Sequence, residues 1–359
     1  MAVNVLANVA SALSQRFLPR VARQYNRQTI LLSELDVWAS PMQGVAKNVA
    51  FDAVLGDNGQ QYQAAAEGTA MASSEFTTDN IVPGTLPWAI YRNGFAVSDT
   101  EFDAAVASIG SATAVENMLM ERILSATTAL ADGQNIDAWS GTGTALNGNP
   151  NIIGFQGGAL AASGTYAGIS RSTYPSFGGN VLANGGVARP LSFDLLAQGE
   201  TEIFVGCGMK PQLMVASPNV WRKYSSLFEP LRRFNDDQRV YNTSTDVLQW
   251  RGIPIVRDKD GYENPAAGTG TLLMLNKDHC KLACLSPTEM SRQDVWKVQD
   301  KPGSGSNGEP GGETSIKVPF RIIPLARVGD YMQFMVKSTV QLVVDRPNAS
   351  CIIQDISIV

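Results

Sequence analysis

The feature that most constrains the fold is a helical pattern between Ser98 and Asp132. Apolar residues recur there at steps of three and four, which places them on one face of a helix. Ser98 and Glu101 fit a capping box at its start, and Gly133 suits its end. At about 1.5 Å per residue, this helix would be about 50 Å long. The pattern predicts one long helix, either a core helix or a rod that spans the molecule, and the pair Gly110-Ser111 could bend it. Its apolar face comprises Phe102, Ala105, Ile109, Ala112, Val115, Leu119, Ile123, Ala126 and Leu130.

Composition favours a chain that is partly covered by other chains. Of the 359 residues, 44% are apolar, which is enough for a sizeable core. Charged residues make up 17%, against about 25% in a typical soluble protein. The net charge of −5 argues against a chain built as a whole to grip nucleic acid.

The sequence contains no signal for a membrane or for secretion. No run of about 18 uncharged apolar residues occurs, so we expect no transmembrane segment and no membrane partner. The first 15 residues carry no Lys or Arg ahead of their apolar part, unlike a signal peptide. The four cysteines are too few and scattered for a disulfide framework, which favours reduced thiols in a cytoplasmic assembly.

Residues 1–42 are predicted to form an arm with a basic stripe. Its four arginines are spaced four, three and four apart, which places them on one side of a helix. Pro19 favours two short helices over one. Two interpretations remain open: a solvated or salt-bridged face, and a contact with a polyanion or an acidic neighbour. The stripe comprises Arg16, Arg20, Arg23 and Arg27.

Residues 43–98 form a long excursion. The runs Val49–Ala53 and Tyr91–Val97 alternate apolar and polar residues, which predicts two strands of one hairpin. Residues 54–86 between them contain no Lys or Arg and have no clear period. Either a disordered loop or a segment that docks onto a neighbouring subunit fits this composition. Its acidic residues are Asp57, Glu67, Glu75 and Asp79.

The rest of the chain predicts an α+β fold. Residues 133–187 hold 13 of the 33 glycines, which favours extended strands and tight turns. Residues 191–317 are predicted to form a separate α/β-like lobe that begins with a helix capped by Ser192. Residues 318–359 return to β-strands, which we expect to pack on the long helix.

No motif for catalysis is present. The single histidine, His279, has no partner at a spacing known from catalytic triads. Cys280 and Cys284 suggest apolar packing because four ligands at a recognised metal spacing are absent. No lysine occurs from residue 48 to 209, so the glycine-rich segment lacks a phosphate loop. We therefore expect no catalytic, cofactor or metal site, and no enzyme.

Three segments, together with the order of the predicted parts, carry a resemblance. They are Gly168–Pro175 (GISRSTYP), Trp250–Val256 (WRGIPIV) and Leu342–Ser350 (LVVDRPNAS). On these grounds the chain resembles the major capsid proteins of tailed bacteriophages, which have the Hong Kong 97-type fold. The resemblance covers nearly the whole chain, but none of its segments is a catalytic signature.

The resemblance implies a division of the chain and a role for it. Residues 1–42 would be the N-terminal arm, 43–98 the extended E-loop, 99–190 the P-domain with its spine helix, 191–317 the A-domain, and 318–359 the return to the P-domain. The subunit would assemble with itself into hexamers and pentamers of an icosahedral shell around double-stranded phage DNA. Portal, scaffolding or decoration proteins are further implied partners, and the implied location is the virion, after assembly in the host cytoplasm.

For the site residues, the resemblance implies contacts between subunits or with DNA. The arginine stripe would face the DNA or a neighbouring subunit, and the acidic residues would lie in E-loop contacts. Some family members cross-link an E-loop lysine to an asparagine of a neighbour, but this E-loop has no lysine beyond Lys47, near its base. We therefore expect no such cross-link at the loop tip.

Three other functions are alternatives to the phage shell protein. A bacterial encapsulin compartment has the same fold and is the nearest alternative. A hydrolase lacks support because the chain has one histidine, no metal set and no phosphate loop. A secreted adhesin or surface-layer protein would suit the Gly, Thr and Asn content but lacks a signal peptide, and secretion would discriminate it.

Overall fold

The computed structural model describes residues 30–39, 48–55, 81–107, 111–144, 148–232, 248–285, 288–291, 315–318, 320–325 and 327–358. Helices in these ranges are α1 (Ile30–Glu34), α2 (Asp99–Ala107), α3 (Ser111–Ser140), α4 (Phe193–Cys207) and α5 (Pro218–Arg232). The strands up to the second lobe are β1 (Asp36–Ala39), β2 (Asn48–Val54), β3 (Ile81–Pro87), β4 (Ala89–Ser98), β5 (Thr165–Tyr166), β6 (Ile169–Ser170) and β7 (Asn180–Leu182). The later strands are β8 (Leu213–Ala216), β9 (Leu248–Trp250), β10 (Ile253–Arg257), β11 (Glu263–Asn264), β12 (Thr269–Leu275), β13 (Cys280–Cys284), β14 (Thr288–Ser291), β15 (Ser315–Val318), β16 (Arg321–Pro324), β17 (Tyr331–Val344) and β18 (Cys351–Ser357). The mixed α+β composition is as predicted.

The first sheet packs against α3. Its strand order is β1-β13-β17-β16, and β4 also pairs with the long strand β17. Val97, Phe334 and Val336 on one side of this sheet form a buried cluster with Leu119 and Ile123 of α3. The predicted late return to β beside the helix is therefore confirmed for β17.

The second sheet forms the core of the predicted lobe. Its strand order is β7-β18-β12-β8-β10-β9, with β11 on the edge of β12. All seven residues of β12 are buried, as expected for a central strand. Helix α4 starts as predicted, because the Ser192 hydroxyl accepts a hydrogen bond from the Leu195 amide at 3.1 Å.

The single rod predicted from Ser98 is wrong. Helices α2 and α3 are distinct, with residues 108–110 between them outside the described ranges. The Glu101 carboxylate lies 3.1 Å from the Arg122 guanidinium. On a continuous helix, 21 residues would separate their backbones by about 31 Å. The chain therefore folds back on itself between α2 and α3. The capping box forms as predicted, since the Glu101 amide donates to the Ser98 hydroxyl at 3.2 Å.

The predicted end at Gly133 is also wrong, since α3 continues to Ser140. Gln134, Asn135 and Trp139 in the added turns are fully buried. Their tertiary contacts outweigh the low helix propensity of glycine, about 1 kcal/mol relative to alanine.

The hairpin predicted within residues 43–98 has a different second strand. Strand β2 pairs antiparallel with β3, for example Phe51 with Gly84, whereas β4 pairs with β17. Strand β3 contains Pro83 and Pro87, so its sequence lacks the composition typical of a strand. Proline is tolerated there because a two-stranded ribbon has an open edge on each strand.

Besides the passage from β4 to β7, the chain crosses between the two sheets through two short turns. It passes from β12 to β13 through a short 3₁₀ turn at Lys277–His279, and from β17 to β18 through another at Pro347–Ala349. Strand β13 thus lies in the first sheet although it falls within residues 191–317, and β18 lies in the second sheet although it falls within 318–359. The assignment of these ranges to named capsid domains stays a prediction.

Candidate inter-subunit site

Both groups of predicted site residues lie outside the described ranges. The basic stripe comprises Arg16, Arg20, Arg23 and Arg27, and the acidic group comprises Asp57, Glu67, Glu75 and Asp79. Their roles therefore stay predictions. The acidic group lies between β2 and β3, and the described residues show what holds these two strands in place.

That base is the ribbon of β2 and β3, which rests on the loop that carries β5. The ring centroids of Phe51 and Tyr166 are 6.4 Å apart. The Thr85 amide donates a 3.0 Å hydrogen bond to the Ala167 carbonyl. A Cβ atom at Gly84 would lie 2.9 Å from Phe51 Cζ and 3.1 Å from Ala167 Cβ. Only glycine therefore allows this close contact without a shift of its neighbours.

We call residues 165–177 the hairpin clamp, and Arg171 is its centre. This side chain is 3% exposed, and its guanidinium lies 5.5 Å from the centroid of the Tyr166 ring. Burial lowers the pKa of Arg171, and three carbonyl groups accept its hydrogen bonds. They belong to Ala159 at 2.8 Å, Ser163 at 3.3 Å and Phe177 at 3.3 Å. Arg171 belongs to the segment Gly168–Pro175 that carried the resemblance, so this segment marks a structural joint.

The hydroxyl of Tyr166 connects the hairpin clamp to the first sheet. It donates to the Leu342 carbonyl at 3.3 Å and accepts from the Val344 amide at 3.1 Å. Burial raises the pKa of Tyr166 above its usual range, so the phenol stays neutral and keeps both bonds. The ribbon is thereby held on β17 through the clamp.

A second polar cluster joins the end of α3 to the lobe. Asp258 is fully buried. Its carboxyl oxygens accept from Asn135 Nδ2 at 2.8 and 3.0 Å and from Trp139 Nε1 at 3.0 Å. The neighbouring Asp260 also accepts from Asn135, at 2.9 Å, and burial raises the pKa of Asp260. We call this cluster the Asp258 joint; no short-range sequence signal predicts it, because its partners are more than 100 residues apart.

The lone histidine lies where the chain crosses between the sheets. His279 Nδ1 is 2.7 Å from an oxygen of Asp345, which is on the second crossing. The adjacent Cys280 and Cys284 are buried in β13, in agreement with the apolar packing predicted for them. Within the described ranges, no three His, Cys, Asp or Glu side chains cluster as metal ligands. None of the described helices is long and apolar enough to cross a membrane.

Comparison with known proteins adds a structural match. No protein-family model and no curated protein sequence matches this chain. The capsid asymmetric unit of cyanophage A-1(L) matches with a TM-score of 0.65 and 20% identity, over 92% of this chain and 93% of that one. The chain has the fold of a phage capsid protein.

Two further structures share the capsid fold at lower similarity. The capsid of Myoviridae phage XM1 matches with a TM-score of 0.50 and 12% identity over 91% of each chain. The encapsulin SrpI of Synechococcus elongatus matches with a TM-score of 0.50 and 9% identity, over 92% of this chain and 88% of that one. The resemblance noted in the sequence is therefore confirmed at the level of the fold. Each of its three segments lies at a turn or joint of the described structure.

Proposed function

We propose that this chain is the major capsid protein of a tailed bacteriophage, a structural subunit and not an enzyme. It assembles with itself into hexamers and pentamers of an icosahedral shell that encloses double-stranded DNA. The observation that carries the proposal is the match to the cyanophage capsid subunit over more than nine-tenths of both chains. The low charge content of 17% supports extensive contact between copies.

The named parts of the Hong Kong 97-type subunit form the finer part of the proposal. The clamped ribbon of β2 and β3 is the base of an E-loop, residues 43–98, that reaches a neighbouring subunit. Helix α3 and the first sheet serve as the spine and sheet of a P-domain. The second sheet with α4 and α5 serves as an A-domain. Portal and scaffolding or decoration proteins are the further partners, and assembly takes place in the host cytoplasm before the virion is complete.

The arginine stripe of residues 16–27 is proposed to contact DNA or an acidic neighbour. Its four cations at helical spacing support this role, since opposite charges fix orientation and register more than affinity. Replacement of all four arginines by glutamine is expected to impair assembly or retention of the genome. Unchanged particles with a full DNA content would contradict this part of the proposal.

Expression of the chain alone, followed by negative-stain electron microscopy of the soluble fraction, tests the main proposal. Closed shells or rings of five and six subunits are expected. If only monomers form, co-expression with a scaffolding protein is the second measurement, and monomers in both experiments overturn the proposal. Secretion of the chain would instead favour the adhesin alternative.

An encapsulin compartment is the alternative with the same fold. Its match has a lower TM-score and about half the sequence identity of the cyanophage match. Particles purified from the natural source and treated with nuclease discriminate the two. Protected double-stranded DNA supports the phage capsid, whereas a protein cargo without DNA supports the compartment.

A further inference from the structure

The end of helix α4 exposes two apolar side chains. Other solvent-facing residues of this helix, such as Asp194, Gln198 and Glu202, are polar or charged. Phe204 is 57% exposed and Val205 is 78% exposed. A surface helix ordinarily keeps its apolar residues on the buried face, so an adjacent apolar pair in solvent indicates a contact surface. We call Phe204 and Val205 the apolar knob.

A cavity of about 180 Å³ lies against the second sheet and is open to solvent on one side. Two of its apolar walls, Phe155 and Leu160, belong to the segment that contains the short π-helix Phe155–Ala159. The other two, Val181 and Ile352, belong to β7 and β18. An apolar cavity of about 150 Å³ holds a benzene molecule, so this cavity has room for a phenyl ring. We call it the sheet cavity.

Two glutamine side chains, Gln156 and Gln354, complete the wall of the sheet cavity. Among the residues that the structure describes, none donates a hydrogen bond to Gln156 Oε1, which is buried. Buried acceptors are ordinarily satisfied, and the backbone N–H groups of an incoming chain are donors of the required kind. Apolar walls with amides beside them therefore suit an apolar side chain carried on a polypeptide.

The apolar knob and the sheet cavity lie on opposite sides of the second sheet. Side chains alternate between the faces of a strand. Ile353 of β18 packs in a buried cluster with Leu196 and Ile203 of α4. Its neighbour Ile352 packs in another cluster, with Leu342 of the first sheet, and lines the cavity. The second sheet thus separates the knob of a chain from its own cavity, whereas a second copy can bring a knob and a cavity together.

We propose that the apolar knob of one subunit seats in the sheet cavity of the next, with the Phe204 ring as the anchor. This inference rests on the proposed capsid function and names residues of one subunit contact. Aromatic side chains in closely fitting pockets carry much of the binding energy of protein interfaces. A contact between two different surfaces of one chain is head-to-tail, and it closes into a ring when the rotation between neighbours divides the circle. The same contact can therefore recur around rings of five and of six.

Substitutions on each side of the contact form the first test. Phe204→Glu places a charge on the knob, and Ala161→Phe adds a ring at the wall of the cavity. Each variant is expected to lose rings and shells in electron micrographs at concentrations where the wild type assembles. The matched control is Gln198→Glu, which adds the same charge at another exposed position of α4 and is expected to assemble normally.

Disulfide trapping is the second test, and it identifies the partner surface. The variant Val205→Cys, Ala162→Cys is made in a Cys207→Ala background, because Cys207 is a partly exposed thiol near the knob. Ala162 is an exposed residue at the cavity. A disulfide requires Cα atoms within about 7 Å, so only cysteines brought together by the contact will pair. Oxidised particles are expected to give a ladder of covalent oligomers up to the hexamer in a non-reducing gel, and a reductant should return it to monomer.

The single-cysteine chains fix the direction of the contact. A mixture of the Val205→Cys chain and the Ala162→Cys chain is expected to give covalent dimers and nothing larger, because each chain then carries one half of the pair. Dimers from the Val205→Cys chain alone would show that knob meets knob, which overturns the head-to-tail contact. Assembled particles of the double variant that give no ladder overturn the proposal as well.

Folding and assembly controls separate this inference from the proposed function. Far-UV circular dichroism and thermal unfolding are expected to show that Phe204→Glu folds, since the replaced side chain is largely exposed. Normal shells from Phe204→Glu overturn the inference and leave the capsid function standing. Loss of assembly in Ala161→Phe but not in Phe204→Glu overturns it in favour of another occupant of the cavity. A wild type that never assembles, with or without a scaffolding protein, rejects the proposed function and this inference with it.

Discussion

At the scale of single residues, the Asp258 joint shows how one buried carboxyl group fixes a helix to a distant lobe. Asp258 lies on the chain directly after β10, and three N–H donors surround it, from Asn135, Trp139 and the Asp260 backbone. Removal of one partner from such a group leaves the other partners buried without hydrogen bonds. The Asp258 joint therefore contributes to stability because its carboxyl group serves several buried donors at once.

The variant Asp258→Asn replaces one acceptor oxygen by an NH₂ group that faces other donors. We expect the free energy of unfolding to fall by about 2–3 kcal/mol, measured by urea denaturation. The matched control is Asp132→Asn, which removes an exposed ion pair with Lys259, whose side chain is 48% exposed. This control is expected to cost less than about 1 kcal/mol. Equal losses in the two variants would contradict the special role of the joint.

Two buried thiols predict a loss of stability in alkali. Burial raises the pKa of Cys280 and of Cys351 to about 12, from an ordinary 9.0. Above pH 9 these thiols lose protons in the unfolded chain before they do so in the folded one. Stability is therefore full below pH 9 and falls as pH rises towards 12, by up to about 1.4 kcal/mol per pH unit for each thiol.

Urea midpoints at pH 7, 9 and 10 measure this effect. The double variant Cys280→Ala, Cys351→Ala is expected to show a shallower decline with pH than the wild type. Cys207→Ala, at a partly exposed thiol, is the control for the removal of a cysteine from the chain. An identical change of the urea midpoint with pH in the wild type and the double variant would contradict the prediction.

At the scale of elements, local sequence patterns predicted the buried face of the long helix and the starts of helices. They did not predict where a helix ends or which strands pair. The helical face through Leu119, Ile123 and Leu130 was predictable because every third or fourth residue is buried. The extension of α3 to Ser140 was not, because it depends on contacts with Asp258, 119 residues beyond Trp139. Strand β3 was missed because its prolines break the usual strand composition.

The glycine-rich segment after α3 owes part of its composition to close backbone contact. A Cβ atom at Gly157 would lie 1.9 Å from the Gly141 carbonyl oxygen, at the end of α3. Gly157→Ala is expected to lower the free energy of unfolding by about 1–3 kcal/mol or more, measured by urea denaturation. Gly133→Ala is the control, since no heavy atom lies within 4 Å of its added Cβ. As an alanine inside a helix, it should stabilise the chain by about 0.5–1 kcal/mol. Destabilisation by both variants would contradict this account.

At the scale of the whole molecule, the capsid fold was predictable but the connections between distant segments were not. The resemblance placed an excursion, helix, lobe and late β segment in sequence, and the match to a cyanophage capsid subunit agrees with that fold. The contacts of the fold join distant segments, as when the side-chain amide of Gln341 donates to the carbonyl of Pro87, 254 residues away. A single sequence contains no periodic signal for such contacts.

The lysine content predicts how assembled particles are held together. The stretch from residue 48 to 91 contains no lysine, so its tip cannot supply the amine of an isopeptide bond. Mature particles boiled in detergent are expected to migrate as a single monomer band in a denaturing gel. A ladder of covalent oligomers would contradict this, and the variant Lys47→Arg would then show whether the lysine at the base is responsible.

The repeated crossing of the chain makes the two sheets one cooperative folding unit. Strand β12 is paired on one side by β18, which the chain reaches only after it has completed β17 of the first sheet. Residues of both sheets, such as Leu273 of β12 and Leu342 of β17, share one buried cluster, so loss of either sheet would expose the other. A single unfolding transition is therefore expected in both calorimetry and circular dichroism. By the same logic, a fragment of residues 191–317 would lack the neighbour of its central strand and is expected to stay unfolded. A stable, protease-resistant fragment would contradict this. A subunit built in this way can change its shape by bending at the crossings but cannot lose one half while it keeps the other.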